Sequence, residues 1–198
     1  RAIVLPMSLL LILIEACNRI TSGILIGLAP MVTIQELGWT QITYANWIAI
    51  TGVTAAVLGV LCSPWVDRVG ALRILKWVVM FRIGLLGLTA ALEPYWGIHQ
   101  VFESFLIINA AATQLVTVTL IALFMRLCSP RVAASQFAVY MALANMTYSL
   151  GSGLMVPLSH WTHQAGIMLV CAALIALMWL LIHWVDFERH DQDLNKLS

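Results

Sequence analysis

Residues 63–73 read Ser63-Pro64-Trp65-Val66-Asp67-Arg68-Val69-Gly70-Ala71-Leu72-Arg73. This short charged run, with a glycine at its turn, separates two long apolar stretches, Thr43–Val66 and Ile74–Leu92. An apolar run of about 20 residues crosses the hydrocarbon core of a bilayer as a helix. The segment therefore reads as the reversal between two transmembrane helices, with Gly70 permitting a turn that a side chain would strain.

Working outward, the same alternation covers the chain. Apolar stretches run approximately Ala2–Thr33, Thr43–Val66, Ile74–Leu92, Ile98–Leu127, Val132–Leu158 and Gly166–Val185. Between them lie Gln35-Glu36-Leu37-Gly38, Asp67 to Arg73, Glu93-Pro94-Tyr95, Ser129-Pro130-Arg131 and His160 to Gln164. Barrel strands alternate over about 10 residues, and these runs are longer and continuous, so helices are expected. The reading is an all-α membrane protein, with a six-helix domain over residues 1–185 and a polar tail over 186–198.

Composition agrees. Of 198 residues, 62% are hydrophobic and 10% charged, against roughly 25% charged in soluble domains. Soluble, disordered, secreted disulfide-rich and nucleic-acid-binding classes are excluded. Cys17, Cys62, Cys128 and Cys171 sit in or at the ends of four separate apolar stretches. They suggest packing residues rather than a metal site or disulfides, and no cofactor is expected.

Basic residues set the orientation. Arg68, Arg73 and Lys76 flank the second connection, Arg126 and Arg131 flank the fourth, and the other three contain no Lys or Arg. By the positive-inside rule both ends of the chain are expected in the cytoplasm. Trp39, Trp65, Trp77, Trp96, Trp161 and Trp184 lie near span ends as interface anchors. His99, His160, His163, His183 and His190 also fall at ends or connections, which suits the interface better than catalysis.

The charges left within the spans are Glu15, Arg19, Arg82 and Glu103. Each costs roughly 2.5–3.5 kcal/mol at the bilayer centre if unpaired, so partners or a wet path are expected. Glu15, Asn18, Arg19 and Ser22 share one helix face. They form either a self-contained bridge that locks helix packing or part of a substrate or proton pathway. Glu103, Ala110, Gln114 and Thr117 fall in one sector of the fourth span, with Asn109 nearby. Glu103 is either a rim carboxylate or one buried against the first helix. Arg82 lies about 9 Å of helix beyond Lys76, within reach of the surface by snorkelling. In the fifth span Gln136, Tyr140 and Thr147 lie on one face and Asn145 and Tyr148 on another, with Gly151 and Gly153 beyond. Such residues serve helix packing as often as ligand contact.

Enzyme and channel classes are disfavoured. Gly151-Ser152-Gly153 lacks the spacing of an intramembrane serine protease, and no histidine lies mid-span. Asn-Pro-Ala half-helices and the repeated Pro-x-acid signature of mitochondrial-type carriers do not occur. Transporters built from helix triplets remain, and they bind solutes near the midplane between repeats.

The loop at Asp67, Arg68, Gly70 and Arg73 resembles the loop signature of the major facilitator superfamily, departing from it at Ser63-Pro64 and Ala71-Leu72. Further on come Phe102-Glu103, then Ala122-Leu123-Phe124-Met125-Arg126-Leu127-Cys128-Ser129-Pro130, then Ala134-Ser135-Gln136-Phe137-Ala138 and Ala142-Leu143. These runs resemble the second half of AmpG-type muropeptide permeases and related siderophore permeases. Ser135 replaces a threonine, and Val139-Tyr140 stands where the relatives often have a leucine pair.

The resemblance implies six helices arranged as two inverted three-helix repeats, the C-terminal half of a twelve-helix facilitator in a bacterial inner membrane. It implies that an N-terminal six-helix half completes the pathway, an expectation that the start at Arg1 suits. The implied activity is secondary, proton-coupled transport of a small organic solute such as a muropeptide or siderophore by alternating access. Glu15, Asn18, Arg19, Arg82, Glu103, Asn109, Gln114, Gln136, Tyr140 and Asn145 are the pathway candidates. Asp67 and the arginines of the loop would form ion pairs that close the cytoplasmic side. Arg19 and Arg82 suit an anionic solute. A non-transporting receptor of the same fold and a stand-alone six-helix dimer are the rival readings.

Overall fold

The structure, a computed structural model, describes residues 6–128 and 133–185. Arg131, His190, the Ser129-Pro130 pair and the tail from Asp186 lie outside the described residues. Six helices follow one another: α1 (Pro6–Pro30), α2 (Gln41–Val69), α3 (Ala71–Ala91), α4 (His99–Leu127), α5 (Ala133–Trp161) and α6 (Gln164–Ile182). Among the described residues there is no strand. At about 1.5 Å per residue the helices are roughly 28–44 Å long, enough for a bilayer core of about 30 Å.

Local sequence explains several boundaries. Pro30 supplies no N–H to the preceding turn, and beyond it the chain widens into a π-helix over Met31–Glu36. Leu37 N–H then reaches back to Val32 O at 3.0 Å. Thr40 caps α2 by accepting the Thr43 N–H at 3.1 Å. Gly70 alone joins α2 to α3, at φ +96° and ψ +128°, a conformation open essentially to glycine.

Among the described residues five helices qualify as spans by length and composition, beginning with α1 extended through Glu36; α5 is as long as α2 and α4 but less apolar. Its middle holds Asn145, Thr147, Tyr148, Ser149 and Ser152. The buried residues Gln136, Tyr140, Ala144, Gly151 and Met155 form a helical stripe, and α5 packs chiefly along α1.

Consecutive helices are not the closest neighbours. The main pairings are α1 with α5 and α6, α4 with α2 and α3, and α3 with α6. Exchanging α1 with α4, α2 with α5 and α3 with α6 leaves this pattern unchanged. The bundle is thus a pair of three-helix repeats. Since each has an odd number of crossings, the second enters from the opposite side and is inverted.

Glycine sets the closest approach in the first repeat pair. A Cβ on Gly151 would overlap the backbone of Ile20, and one on Gly23 would overlap the backbone at Tyr148. Gly59 stands as far into α2 as Gly151 into α5, and it receives the Gln114 side chain of α4 rather than backbone. The two repeats share a plan, and the α1–α5 crossing is the tighter.

Candidate functional site

A chain of polar contacts runs through the bundle from α1 to α3. Arg19 Nε donates to Glu15 Oε1 at 2.6 Å, and Asn18 Nδ2 donates to Glu15 Oε2 at 3.3 Å. Arg82 Nη1 donates to Asn18 Oδ1 at 2.7 Å. The helical spacing of residues 15, 18 and 19 puts the first three groups on one face. Only the α1–α3 packing brings Arg82 to them.

Exposure differs along this chain. Arg82, Asn18 and Glu15 are buried, with Arg82 wholly so, while the Arg19 side chain keeps 23% of its surface accessible. Arg82 does not snorkel: its Nη1 turns to Asn18, and Nε and Nη2 have no partner among the described residues. Cys171 of α6 lies beside it. Arg19 thus pairs with the Glu15 carboxylate directly, and Arg82 reaches it only through Asn18. Arginine stays charged in proteins, so with Glu15 ionised the group carries an excess positive charge in a low-dielectric bundle. A small cavity of about 10 Å³ adjoins Glu15 on its other side, lined by Ile12, Phe124, Tyr140, Leu143, Ala144 and Thr147.

Further along α1 the bundle opens. A cleft of about 280 Å³ is walled by Ser22, Tyr44, Thr51, Asn109, Thr113, Gln114 and Tyr148, with apolar residues from α1, α2 and α4 between them. Ser22, one turn beyond Asn18, gives its hydroxyl to Asn18 O at 2.9 Å. Thr113 donates to Asn109 O at 2.7 Å. Asn109 Oδ1 is buried with no partner among the described residues. A buried acceptor left unpaired costs about 1–3 kcal/mol, so this amide is ready to take an N–H or O–H.

The other candidates lie apart. Gln136 Nε2 donates to Tyr140 Oη at 2.7 Å, and that hydroxyl donates to Ser8 Oγ at 3.2 Å, so Tyr140, held by Gln136, ties α5 to α1. Asn145 is exposed. Glu103 is half-buried near the start of α4, and no hydrogen bond or ion pair joins it to Glu15 or Arg19. Asp67 and Arg68 are exposed at the end of α2, and among the described residues no ion pair links Asp67 to an arginine. Sequence reading gives Ser8 no role and places Cys171 only as a packing residue. A lone serine or cysteine in an apolar run carries no local signal of its neighbours, which only the helix pairing reveals.

An inverted pair of helix triplets, long enough to cross a bilayer and carrying a polar cleft between α1, α2, α4 and α5, defines an integral multi-pass membrane protein of the transporter class. The model of the Major Facilitator Superfamily matches residues 11–197. The chain belongs to this superfamily, and its bundle is consistent with half of such a fold. No curated protein and no solved structure matches it.

Proposed function

We propose that this chain forms the C-terminal half of a proton-coupled secondary transporter that moves a small organic anion by alternating access. The observation that carries this reading is the charge imbalance around Glu15: Arg19 pairs with it directly, Arg82 is linked to it through Asn18, and Arg19 is the accessible arginine. A carboxylate or phosphate on the solute competes with Glu15 for Arg19, since guanidinium pairs with either through paired hydrogen bonds. Glu15 released from Arg19 loses its strongest counter-charge and takes up a proton more readily. Solute binding and protonation are thereby linked at one residue.

The cleft supplies neutral contacts. Asn109, Gln114 and Tyr148 offer polar groups to the body of the solute. A muropeptide or an iron-siderophore fits the resemblance carried by Phe102-Glu103 and Ala134 to Ala138. An N-terminal six-helix half forms the opposite wall, lying on the exposed faces of α2 and α5. Asp67 and Arg68, which make no ion pair among the described residues, meet it at the cytoplasmic end and close that side when the pathway opens outward. The setting is a bacterial inner membrane with both ends of this chain in the cytoplasm.

The test is accumulation by the intact protein in proteoliposomes under an imposed pH gradient, screened with muropeptides and iron-siderophores. Glu15→Gln is expected to abolish gradient-driven accumulation while retaining solute exchange at equal pH. Full accumulation by Glu15→Gln removes this carboxylate from the coupling, and binding without accumulation by the unmodified protein shows a receptor instead.

A further inference from the structure

A second concave site lies at the opposite helix ends from the π-turn. It is a groove of about 510 Å³ between the α2–α3 junction and the end of α4, lined by Val69 to Arg73, Lys76, Ala122, Leu123 and Arg126. Arg73, Lys76 and Arg126 line it, and among the described residues no acidic side chain does. Neither Arg73 nor Lys76 makes an ion pair among the described residues. The remaining lining is apolar, with Leu72 and Leu123 foremost.

The groove continues onto the outside of α3. Arg73 is exposed and heads a helical stripe of exposed residues, Trp77, Met80, Phe81, Gly84 and Leu88, while the opposite face of α3 is buried. Lys76 and Trp77 follow Arg73 by about one turn, roughly 5 Å. A single molecule with an anionic head and an apolar tail can therefore place its charge among the cations and its tail along α3.

We propose that this groove binds the phosphate of an anionic phospholipid, with an acyl chain lying on Trp77, Met80 and Phe81. The shared chemistry is a phosphate oxyanion. The apolar stripe, which a free phosphate does not use, selects the lipid. Each basic residue at a membrane surface attracts anionic lipid with a several-fold effect, and a concave site adds contacts that a flat surface lacks.

The intact protein is reconstituted into phosphatidylcholine vesicles carrying brominated phosphatidylglycerol or brominated phosphatidylcholine. The difference in tryptophan quenching between wild type and Trp77→Phe reports the lipid beside α3. Brominated phosphatidylglycerol is expected to quench Trp77 at roughly tenfold lower mole fraction. Arg73→Gln/Lys76→Gln is expected to bring the two lipids within about twofold, whereas Arg68→Gln, at the same end but outside the groove, keeps the preference. Equal loss in Arg68→Gln shows general surface charge and overturns the proposal, as does a preference that survives the double variant. Loss of preference on adding inorganic phosphate, but not chloride at matched ionic strength, assigns the groove to a free anion instead.

Discussion

Arg82 Nη1 holds Asn18 Oδ1 at 2.7 Å and, through Asn18, faces the carboxylate that Arg19 already occupies. One buried negative charge is thus linked to two positive ones on different helices, to Arg19 directly and to Arg82 through Asn18.

Removing that negative charge exposes the imbalance. Glu15→Ala leaves two arginines without a counter-charge, and breaking a buried pair in this way costs about 3–5 kcal/mol. Arg82→Met keeps the volume and removes two unpartnered donors, so alone it is expected to be neutral or stabilising. In the Glu15→Ala background it is expected to restore most of the loss. A double-mutant cycle by unfolding in detergent measures the coupling, and simple additivity contradicts it.

The α1–α5 crossing depends on absent side chains. Gly151→Ala drives a methyl group into the backbone of Ile20, and the helices must separate, at a cost of about 1–3 kcal/mol. Gly153→Ala meets nothing within 4 Å and is expected to be neutral or to stabilise by up to about 1 kcal/mol through helix propensity. Thermal unfolding of the two variants should separate them clearly.

At Gly70 the constraint is conformational. A Cβ there meets nothing within 4 Å, but φ is +96°, and such strain costs about 1–3 kcal/mol. Gly70→Ala is therefore expected to destabilise, while Gly84→Ala, equally uncrowded but helical, is not. Equal melting temperatures for the two would remove the strain argument.

Arg19→Gln is expected to weaken uptake of anionic solutes by roughly 10–100-fold, the equivalent of one charge-assisted contact of about 1.5–3 kcal/mol. Arg19→Lys should recover part of it, since a lysine keeps the charge but not the paired geometry. Unchanged uptake of every anionic candidate by Arg19→Gln excludes this residue from recognition.

Asn109→Leu removes the orphaned acceptor of the cleft wall. The fold should hold or gain stability, because an apolar group of similar size replaces an unpaired polar one, while solute retention falls. Retention is read as the apparent KM for uptake, and stability by thermal unfolding of the same sample.

Much of the architecture was legible along the chain. Apolar runs interrupted at Gly38, Gly70 and Pro94 give the helices, because a bilayer demands internal pairing of every backbone group and admits few alternatives. The Glu15–Arg19 contact was legible too, since helical geometry places residues four apart together. Less legible was Arg82, whose distance along α3 allowed it to reach the surface. Which way it turns is decided by Asn18 on another helix. For Gln136 and Tyr140 the spacing leaves helix packing and pathway contact equally open, and the link from Tyr140 of α5 to Ser8 of α1 depends on which helices meet.

By itself, then, the sequence determined that this is a helical membrane protein with charged side chains confined to a few positions, because hydropathy and helical period are local properties. Tertiary structure alone decided that α1 lies on α5 rather than on α2, that Arg82 joins the Glu15–Arg19 pair through Asn18, and that Arg73, Lys76 and Arg126 meet in one groove. Those facts depend on backbone approaches between helices far apart in the chain, set by glycines such as Gly23 and Gly151, and no local pattern encodes which distant helix each of them faces.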